Sequence, residues 1–221
     1  MTARRRNCVT LALVNNKGGV GKTTSAVSLA AGLVAEGRRV LLVDLDAQGS
    51  ASLSVGLTRP ELRPGTAEVM LEGWPIRTAV RPSYVEGLDV LPGSMDLASA
   101  DLFLSDVQGR ETVLRGALGP VLGDYDFAVL DCPPSLGLLT VNALTAADFF
   151  LVPVTPDYLA LEGLVNLLDA VERIRKGIGK AADLLGVLLT LADYRLNVTE
   201  EIREMIRKHY GRAVLKTEIR G

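Results

Sequence analysis

Histidine is nearly missing from the chain: its 221 residues include one, His209. That excludes chemistry needing a histidine pair, a Ser-His-Asp triad or a histidine-rich metal cluster, and we read His209 as a solvated helix residue. Cysteine is almost as scarce. Cys8 and Cys132 lie far apart, matching neither a disulfide framework nor a CxxC metal or redox pattern, so a reducing cytoplasm is the expected home. No apolar run is long enough to span a bilayer: the longest uncharged stretch, Cys132 to Ala147, is broken by Pro133, Pro134, Gly137 and Asn142. Neither sign of charge is in excess, with 24 basic against 26 acidic residues and a formal charge of −2, so any contact with nucleic acid has to come from a local patch. The segment Met1 to Asn7 carries Arg4, Arg5 and Arg6 but has no small-residue cleavage site, so it does not read as an export signal.

What is present describes a chain able to bury a real core, with 48% hydrophobic and 23% charged residues. Its length fits one sizeable domain spanning 1–221. Short β-branched or Leu-rich runs alternate with longer helical patterns, which predicts an α/β fold with a mostly parallel sheet and helices on both faces. The strands expected are Val9 to Val14, Arg39 to Val43, Leu88 to Leu91, Phe127 to Leu130, Phe149 to Val154, Leu185 to Thr190 and Ala213 to Leu215. Several are continuously apolar, as suits strands covered on both faces. Thr23 to Glu36, Leu159 to Lys176 and Thr199 to Tyr210 have helical spacing, and Gly37 stands where a left-handed stop is expected. Thr58 to Pro92, punctuated by five prolines, reads as a surface excursion of the same domain.

Between the first strand and the first helix stands Asn15-Asn16-Lys17-Gly18-Gly19-Val20-Gly21-Lys22-Thr23-Thr24. Glycines let successive backbone N–H groups curl around phosphate oxygens, Lys22 adds a point charge, and the helix turns its positive end to the anion. Thr23 offers a hydroxyl to Mg²⁺. The strict pattern G-x-x-x-x-G-K-[ST] fails at its first position, where Asn16 replaces glycine, and Lys17 adds a second lysine five residues before Lys22. A solvated glycine turn is the bland alternative.

Carboxylates follow two of the strands. Asp44 and Asp46 close Leu41-Leu42-Val43-Asp44-Leu45-Asp46, and Asp131 ends Phe127-Ala128-Val129-Leu130-Asp131 before Pro133 and Pro134. An acid at the carboxyl edge of a parallel strand faces the crevice where such sheets bind ligands, although Asp44 and Asp46 could equally be turn formers. Cys132 reads as a small packed residue.

These motifs together resemble the deviant Walker A group of P-loop ATPases, the ParA/MinD family, and their wording is most like the chromosomal Soj-like members. The resemblance extends to Asn142-Ala143-Leu144-Thr145-Ala146-Ala147-Asp148 and Leu159-Ala160-Leu161-Glu162-Gly163-Leu164. It implies that ATP phosphates are held by Lys17 to Thr24, that is Lys17, Gly18, Gly19, Val20, Gly21, Lys22, Thr23 and Thr24. It implies Mg²⁺ held by Thr23 and, through water, by Asp131. The signature lysine, Lys17, would reach the phosphates of a partner subunit in an ATP-bound homodimer; Asp46 would activate the attacking water, and Asp44 would pair with the signature lysine or support the metal shell. Slow hydrolysis would then time the dimer's life.

The same resemblance implies a cytoplasmic, nucleoid-associated partition ATPase that binds DNA without sequence preference and meets a ParB-type centromere-binding protein that stimulates hydrolysis; a membrane partner is not expected. From Arg195 onward seven basic residues stand against four acidic, a local balance of +3. A DNA-backbone footprint and an ordinary solvated helix explain this equally well by charge alone. Arg195 matches the arginine of the family's Asp-x-Arg-Thr-Asn stretch, with Leu196 in place of Thr, and Arg203, Arg207, Lys208, Lys216 and Arg220 are further candidates. Family members continue for a few dozen residues that complete the base pocket, so the C-terminal part is expected to be shortened relative to the family. A MinD-like membrane-positioning ATPase is the alternative, and a ligase-type P-loop relative that phosphorylates a small carboxylate is a third.

Overall fold

The computed structural model describes residues 8–192, 195 and 197–220. The Arg4 to Arg6 run, Asp193, Tyr194 and Leu196 lie outside the described residues. Strand β1 (Val9–Leu13) leads through helix α1 (Lys22–Ala35) to β2 (Val40–Asp44). Helices α2 (Ser50–Ser54) and α3 (Thr66–Leu71) precede β3 (Arg81–Pro82) and β4 (Leu88–Leu91), and α4 (Ala100–Phe103) and α5 (Val113–Leu122) lead to β5 (Phe127–Asp131). Then α6 (Leu138–Ala146), β6 (Phe149–Val154), α7 (Ala160–Ile178), β7 (Asp183–Ala192), α8 (Asn197–Tyr210) and β8 (Val214–Arg220) follow.

The strands form one sheet in the order β3-β4-β2-β5-β1-β6-β7-β8, parallel throughout except where β3 pairs with β4. Successive side chains along a strand feed opposite faces. Leu11 and Leu13 of β1, with Leu42 of β2, pack under Ala26 and Ala30 of α1. Ala12, Leu41 and Val43 join the other layer, with Leu118 of α5, Leu144 of α6, Leu167 of α7 and Ile206 of α8. The expected α/β architecture with both faces covered is what folds. Gly37 (φ +74°) stops α1, its N–H donating to the Val34 carbonyl and that of Arg38 to Leu33, as a left-handed C-terminal stop requires.

Register places the chemistry. Leu13 pairs with Asp131, and Asp131 with Asp44, so the carboxyl ends of β1, β5 and β2 are flush and the loop after β1 opens beside both acids. Sequence and structure part at Thr58–Pro92, which is not a surface excursion. Leu62, Val69, Met70 and Ile76 are buried, and α3 joins the core layer beneath α5. Each such side chain contributes about 1.5–3 kcal/mol by leaving water. The turns are too short to show a helical period, and the prolines hide them further. Arg81 fastens this arm by donating to the carbonyls of Glu61, Pro64 and Ala79.

Candidate functional site

The loop between β1 and α1 is held from below. Asn15 is buried and bridges two segments: its Nδ2 donates to the Pro153 carbonyl at 2.7 Å, and its Oδ1 accepts from the Lys17 N–H at 2.9 Å. The Thr190 hydroxyl donates to the Val20 carbonyl at 2.8 Å, tying the loop to β7. Val20, expected among the phosphate contacts, buries its side chain, so only its backbone is available to an anion. Gly19 (φ +73°) and Gly21 (φ +80°) take left-handed conformations that side chains resist, and nothing stands within 4 Å of where a Cβ on Gly18 or Gly19 would lie.

This loop, Asp46 and Pro134 enclose a cavity of about 310 Å³. Lys22 is buried against it, its Nζ donating to the Lys17 carbonyl at 2.9 Å. Burial lowers the Lys22 pKa, against the pull of Asp131, Cys132 and Asp46; an anion in the cavity would favour its charge. Thr23 and Thr24 stand at the start of α1 on the same wall. Leu191 lies at the mouth with φ +51°, a conformation costing a non-glycine residue about 1–3 kcal/mol. Nothing in the sequence signals it.

Asp131 is fully buried, and neither carboxylate oxygen has a hydrogen-bond partner. Burial pushes its pKa up to about 7; Asp44 and Asp46 add to the rise, and the nearby Thr23 hydroxyl and Lys22 oppose it. An orphaned buried carboxylate is costly unless something else satisfies it. A hydrated divalent cation bound to a triphosphate fits this donor set: the Asp131 carboxylate, the Thr23 hydroxyl, and a glycine cradle with room for the anion.

This carboxyl makes stability depend on pH. Its folded pKa lies above its ordinary 3.8, so the ligand-free fold binds the proton more tightly than the unfolded chain and loses stability as pH rises from about 4 to about 7. Ionising it in the fold costs on the order of 4 kcal/mol. The Asp131→Asn variant escapes this cost, so without ligand it melts roughly 5 °C or more above wild type at pH 8. The gap closes toward pH 4; thermal scans in which it is the same at both pH values would refute this reading of Asp131.

Asp44 is fully buried and occupied. It accepts from the N–H and hydroxyl of Ser52, at 2.9 and 2.7 Å, and from the Asp46 N–H at 3.1 Å. Burial raises its pKa, against those hydrogen bonds. Its neighbour Gly93 has to lack a side chain, because a Cβ there would stand 2.8 Å from Asp44 Oδ1 and 2.6 Å from the Asp46 carbonyl. Asp44, which the resemblance puts beside the signature lysine or in the metal shell, fastens the turn that carries Asp46. Asp46 is half-buried at the cavity wall, accepting from the Gln48 N–H at 3.0 Å.

Lys17 goes the other way. It is exposed, and its ammonium pairs with Asp157, just past β6. Sequence reading missed Asp157, although the rule that picked out Asp131, an acid at the carboxyl end of a parallel strand, also reaches it.

Of the other singled-out residues, Cys132 is packed in the core, and His209 is exposed with its ring edge-on to Tyr210. Arg203 and Arg207 of α8 converge on Glu218 of β8, with Arg203 also on Glu200, so much of their charge is met inside the chain. Arg195, Lys208, Lys216 and Arg220 are exposed.

Residues 8–184 match the family described as an AAA domain. The chain is 41% identical over 209 residues to the sporulation initiation inhibitor protein Soj of Bacillus subtilis (strain 168), covering 95% of this chain and 83% of that protein. It is 40% identical over 206 residues to the chromosome partitioning protein ParA of Myxococcus xanthus (strain DK1622), covering 93% and 73%. Among solved structures it is similar to a Mycobacterium smegmatis protein described as cobyrinic acid a,c-diamide synthase, with bound ADP and magnesium: TM-score 0.90, 39% identity, 97% of this chain and 87% of that one. The same protein has been solved with an ATP analogue and magnesium.

Proposed function

The chain belongs to the Soj/ParA family of P-loop ATPases, and from that premise we propose that it is a DNA-partition switch, closing as a dimer around ATP, binding DNA without sequence preference in that state, and letting go when hydrolysis ends the dimer. The observation that carries this reading is the opposite placement of two lysines five residues apart. Lys22 is buried at the phosphate cavity, while Lys17 is exposed on the rim and engaged by Asp157. A cation turned to the surface beside an open phosphate site suits the anion of a second copy facing it.

In the closed dimer, the backbone N–H groups from Gly18 to Thr24 and the Lys22 ammonium hold the phosphates. Thr23 and, through water, Asp131 would hold Mg²⁺, which when bound would neutralise charge on the phosphates. Asp46 accepts a hydrogen bond from the attacking water and aligns it; a bond forms from that water to the γ-phosphorus, and the bond to the β–γ bridging oxygen breaks, giving ADP and phosphate. Lys22 and the partner copy's signature lysine stabilise the charge that shifts onto the leaving oxygens. Asp44 and Ser52 fix the turn under Asp46.

DNA contact is assigned to the exposed cations, Arg195, Lys208, Lys216 and Arg220, with the half-buried Arg203 and Arg207 contributing less. Neutralising Lys208 and Lys216 together should weaken binding to random-sequence duplex about equally for all sequences. Each lost contact lowers the log–log salt slope by about one, and an unchanged slope in filter binding would remove these residues from the footprint. Duplex binding with ATP but not ADP tests the reading as a whole. The proposed setting is the cytoplasm, on the nucleoid, with a ParB-type centromere-binding protein stimulating turnover.

No helix among the described residues is long and apolar enough to cross a membrane; vesicle sedimentation with ATP tests the MinD-like alternative. The ligase reading is favoured by the name of the Mycobacterium smegmatis neighbour. Phosphate release with no carboxylate substrate or ammonia donor present separates a switch from a synthase.

A further inference from the structure

No motif marks Thr190, near the carboxyl end of β7, yet its side chain reaches from that strand into the phosphate loop. Its hydroxyl donates to the Val20 carbonyl at 2.8 Å, 170 residues away along the chain, and its Cβ and Cγ2 stand 3.9 Å from where a Cβ on Gly21 would lie. Thr190 is buried, so water does not compete for the contact. Val20 buries its side chain as well, whereas the next residues, Gly21 and Lys22, line the cavity.

Direction follows from the peptide plane. In a planar trans peptide the carbonyl of one residue and the N–H of the next point opposite ways, so a Val20 carbonyl held against buried Thr190 leaves the Gly21 N–H aimed the other way, where the cavity opens. The loop's own residues do not secure that aim. Gly19 and Gly21 have φ of +73° and +80°, and glycine populates both signs of φ about equally, so the peptide between Val20 and Gly21 can turn over at little steric cost. Turned over, it would put a carbonyl oxygen where an anion has to sit and withdraw a donor from it.

The end of β7 is bent where it makes this contact. Leu191, the next residue, has φ +51° and is the only non-glycine residue with positive φ among the described residues, and the pairing of β7 with β8 shifts register between Leu189 and Ala192. Irregular strand ends of this kind re-aim side chains beside functional sites. Leu188 joins the layer under α1, Thr190 follows on the same face beneath the loop, and the bend carries Leu191 to the cavity mouth.

We propose that Thr190 is a positioning residue of the phosphate site, its hydroxyl selecting the one orientation of the Val20–Gly21 peptide that offers an N–H to the anion. The proposal deepens the ATPase reading and rests on its phosphate cavity. Without the hydroxyl the peptide samples both orientations, and apparent affinity falls with the fraction of chains left in the competent one. Lys22, Thr23, Asp46 and Asp131 keep their places, so chemistry in the loaded site is spared.

Calorimetric titration of the full chain with MgATP, MgADP and magnesium tripolyphosphate tests this, beside thermal melting and steady-state phosphate release. Thr190→Val, which keeps the branched shape, should bind all three about tenfold more weakly. KM for ATP should rise by a similar factor while kcat stays within about twofold of wild type, and Thr190→Ser, which keeps the hydroxyl, should restore most of the affinity. Thr145→Val is the matched control: the buried Thr145 hydroxyl donates to the Glu111 carbonyl at 2.5 Å near the end of α6, so this variant should melt lower yet bind all three ligands as wild type does. Wild-type affinity in Thr190→Val, a loss that Thr190→Ser does not repair, or a loss shared by Thr145→Val overturns the proposal. So does weakened ATP binding with unchanged tripolyphosphate binding, which would put the effect at Leu191 and the nucleoside. A wild type that binds none of the three would sink the phosphate-site reading and this proposal with it, whereas tight binding without phosphate release would sink the ATPase reading and leave the role of Thr190 standing.

Discussion

Replacing Asp46 by Ala lowers ATP turnover by about 100-fold or more and leaves a dimer that persists with ATP. The effect is large because hydrolysis at this site depends on positioning: among the described residues, Asp46 is the half-buried acid on the cavity wall, while Asp131 is deeper and Asp44 has its oxygens engaged by Ser52 and the Asp46 N–H. An aligned water and an aligned acceptor are worth several kcal/mol of barrier in such reactions. ATP affinity should change by no more than a few-fold, since the glycine loop and Lys22 remain. Phosphate release gives the turnover and light scattering after gel filtration gives the size. Full turnover in the variant would remove Asp46 from the chemistry, and a dimer that decays as fast as wild type would separate hydrolysis from dimer lifetime.

Replacing Lys17 by Ala has an effect of similar size by another route. Turnover should again fall by about 100-fold or more, in the range seen when a cation on the transferred phosphoryl group is lost, but here the ATP dimer should weaken. Binding of ATP to the single chain should be nearly preserved, because the Lys17 ammonium rests on Asp157 while Lys22 lines the cavity proposed for the phosphates. The companion variant Asp157→Asn acts in the opposite direction. It removes an exposed ion pair, worth about 0–1 kcal/mol to the fold, and frees the lysine, so the dimer should form at several-fold lower protein concentration with ATP. Sedimentation velocity reads both. Tight dimers from Lys17→Ala, or no gain from Asp157→Asn, would mean the pair has no part in closure.

Much of the site was legible in the sequence because phosphate chemistry writes itself in consecutive letters. Lys17 to Thr24 needs strand, glycines, lysine and helix in immediate succession, and Asp131 ends an apolar strand whose register then sets it against Leu13 and Asp44. The parallel strands were legible for the same reason: buried on both faces, they read as unbroken apolar runs. Other elements leave no such trace. Helix α6 buries Leu139, Thr140 and every residue from Asn142 to Ala146, so it has no polar face and no amphipathic period to detect. Helix α5 contains Pro120 together with Gly116 and Gly119, which read as breakers; Asn142 steadies its start, accepting from the Leu114 N–H at 3.0 Å and donating to the Arg110 carbonyl at 2.7 Å. What the sequence could not supply are partnerships formed only by folding. Ser52 on Asp44 is one; Asp157 on Lys17, 140 residues along the chain, is another. The reach of Glu218 to Arg203 and Arg207, which turns a net basic segment into a partly neutralised one, is a third.

Whether the signature lysine serves its own phosphate site or its neighbour's is decided by mixing two inactive proteins. In a mixed dimer of Lys17→Ala and Asp46→Ala, the first subunit keeps Lys22, Asp46 and Asp131 and receives an intact lysine from the second, so one complete site is rebuilt. Adding excess Asp46→Ala chains to Lys17→Ala chains should restore phosphate release to a sizeable fraction of wild type. If tagged pull-down shows the mixed dimers with ATP and the mixture stays as inactive as its parts, the lysine acts within its own chain and the shared-site dimer is wrong.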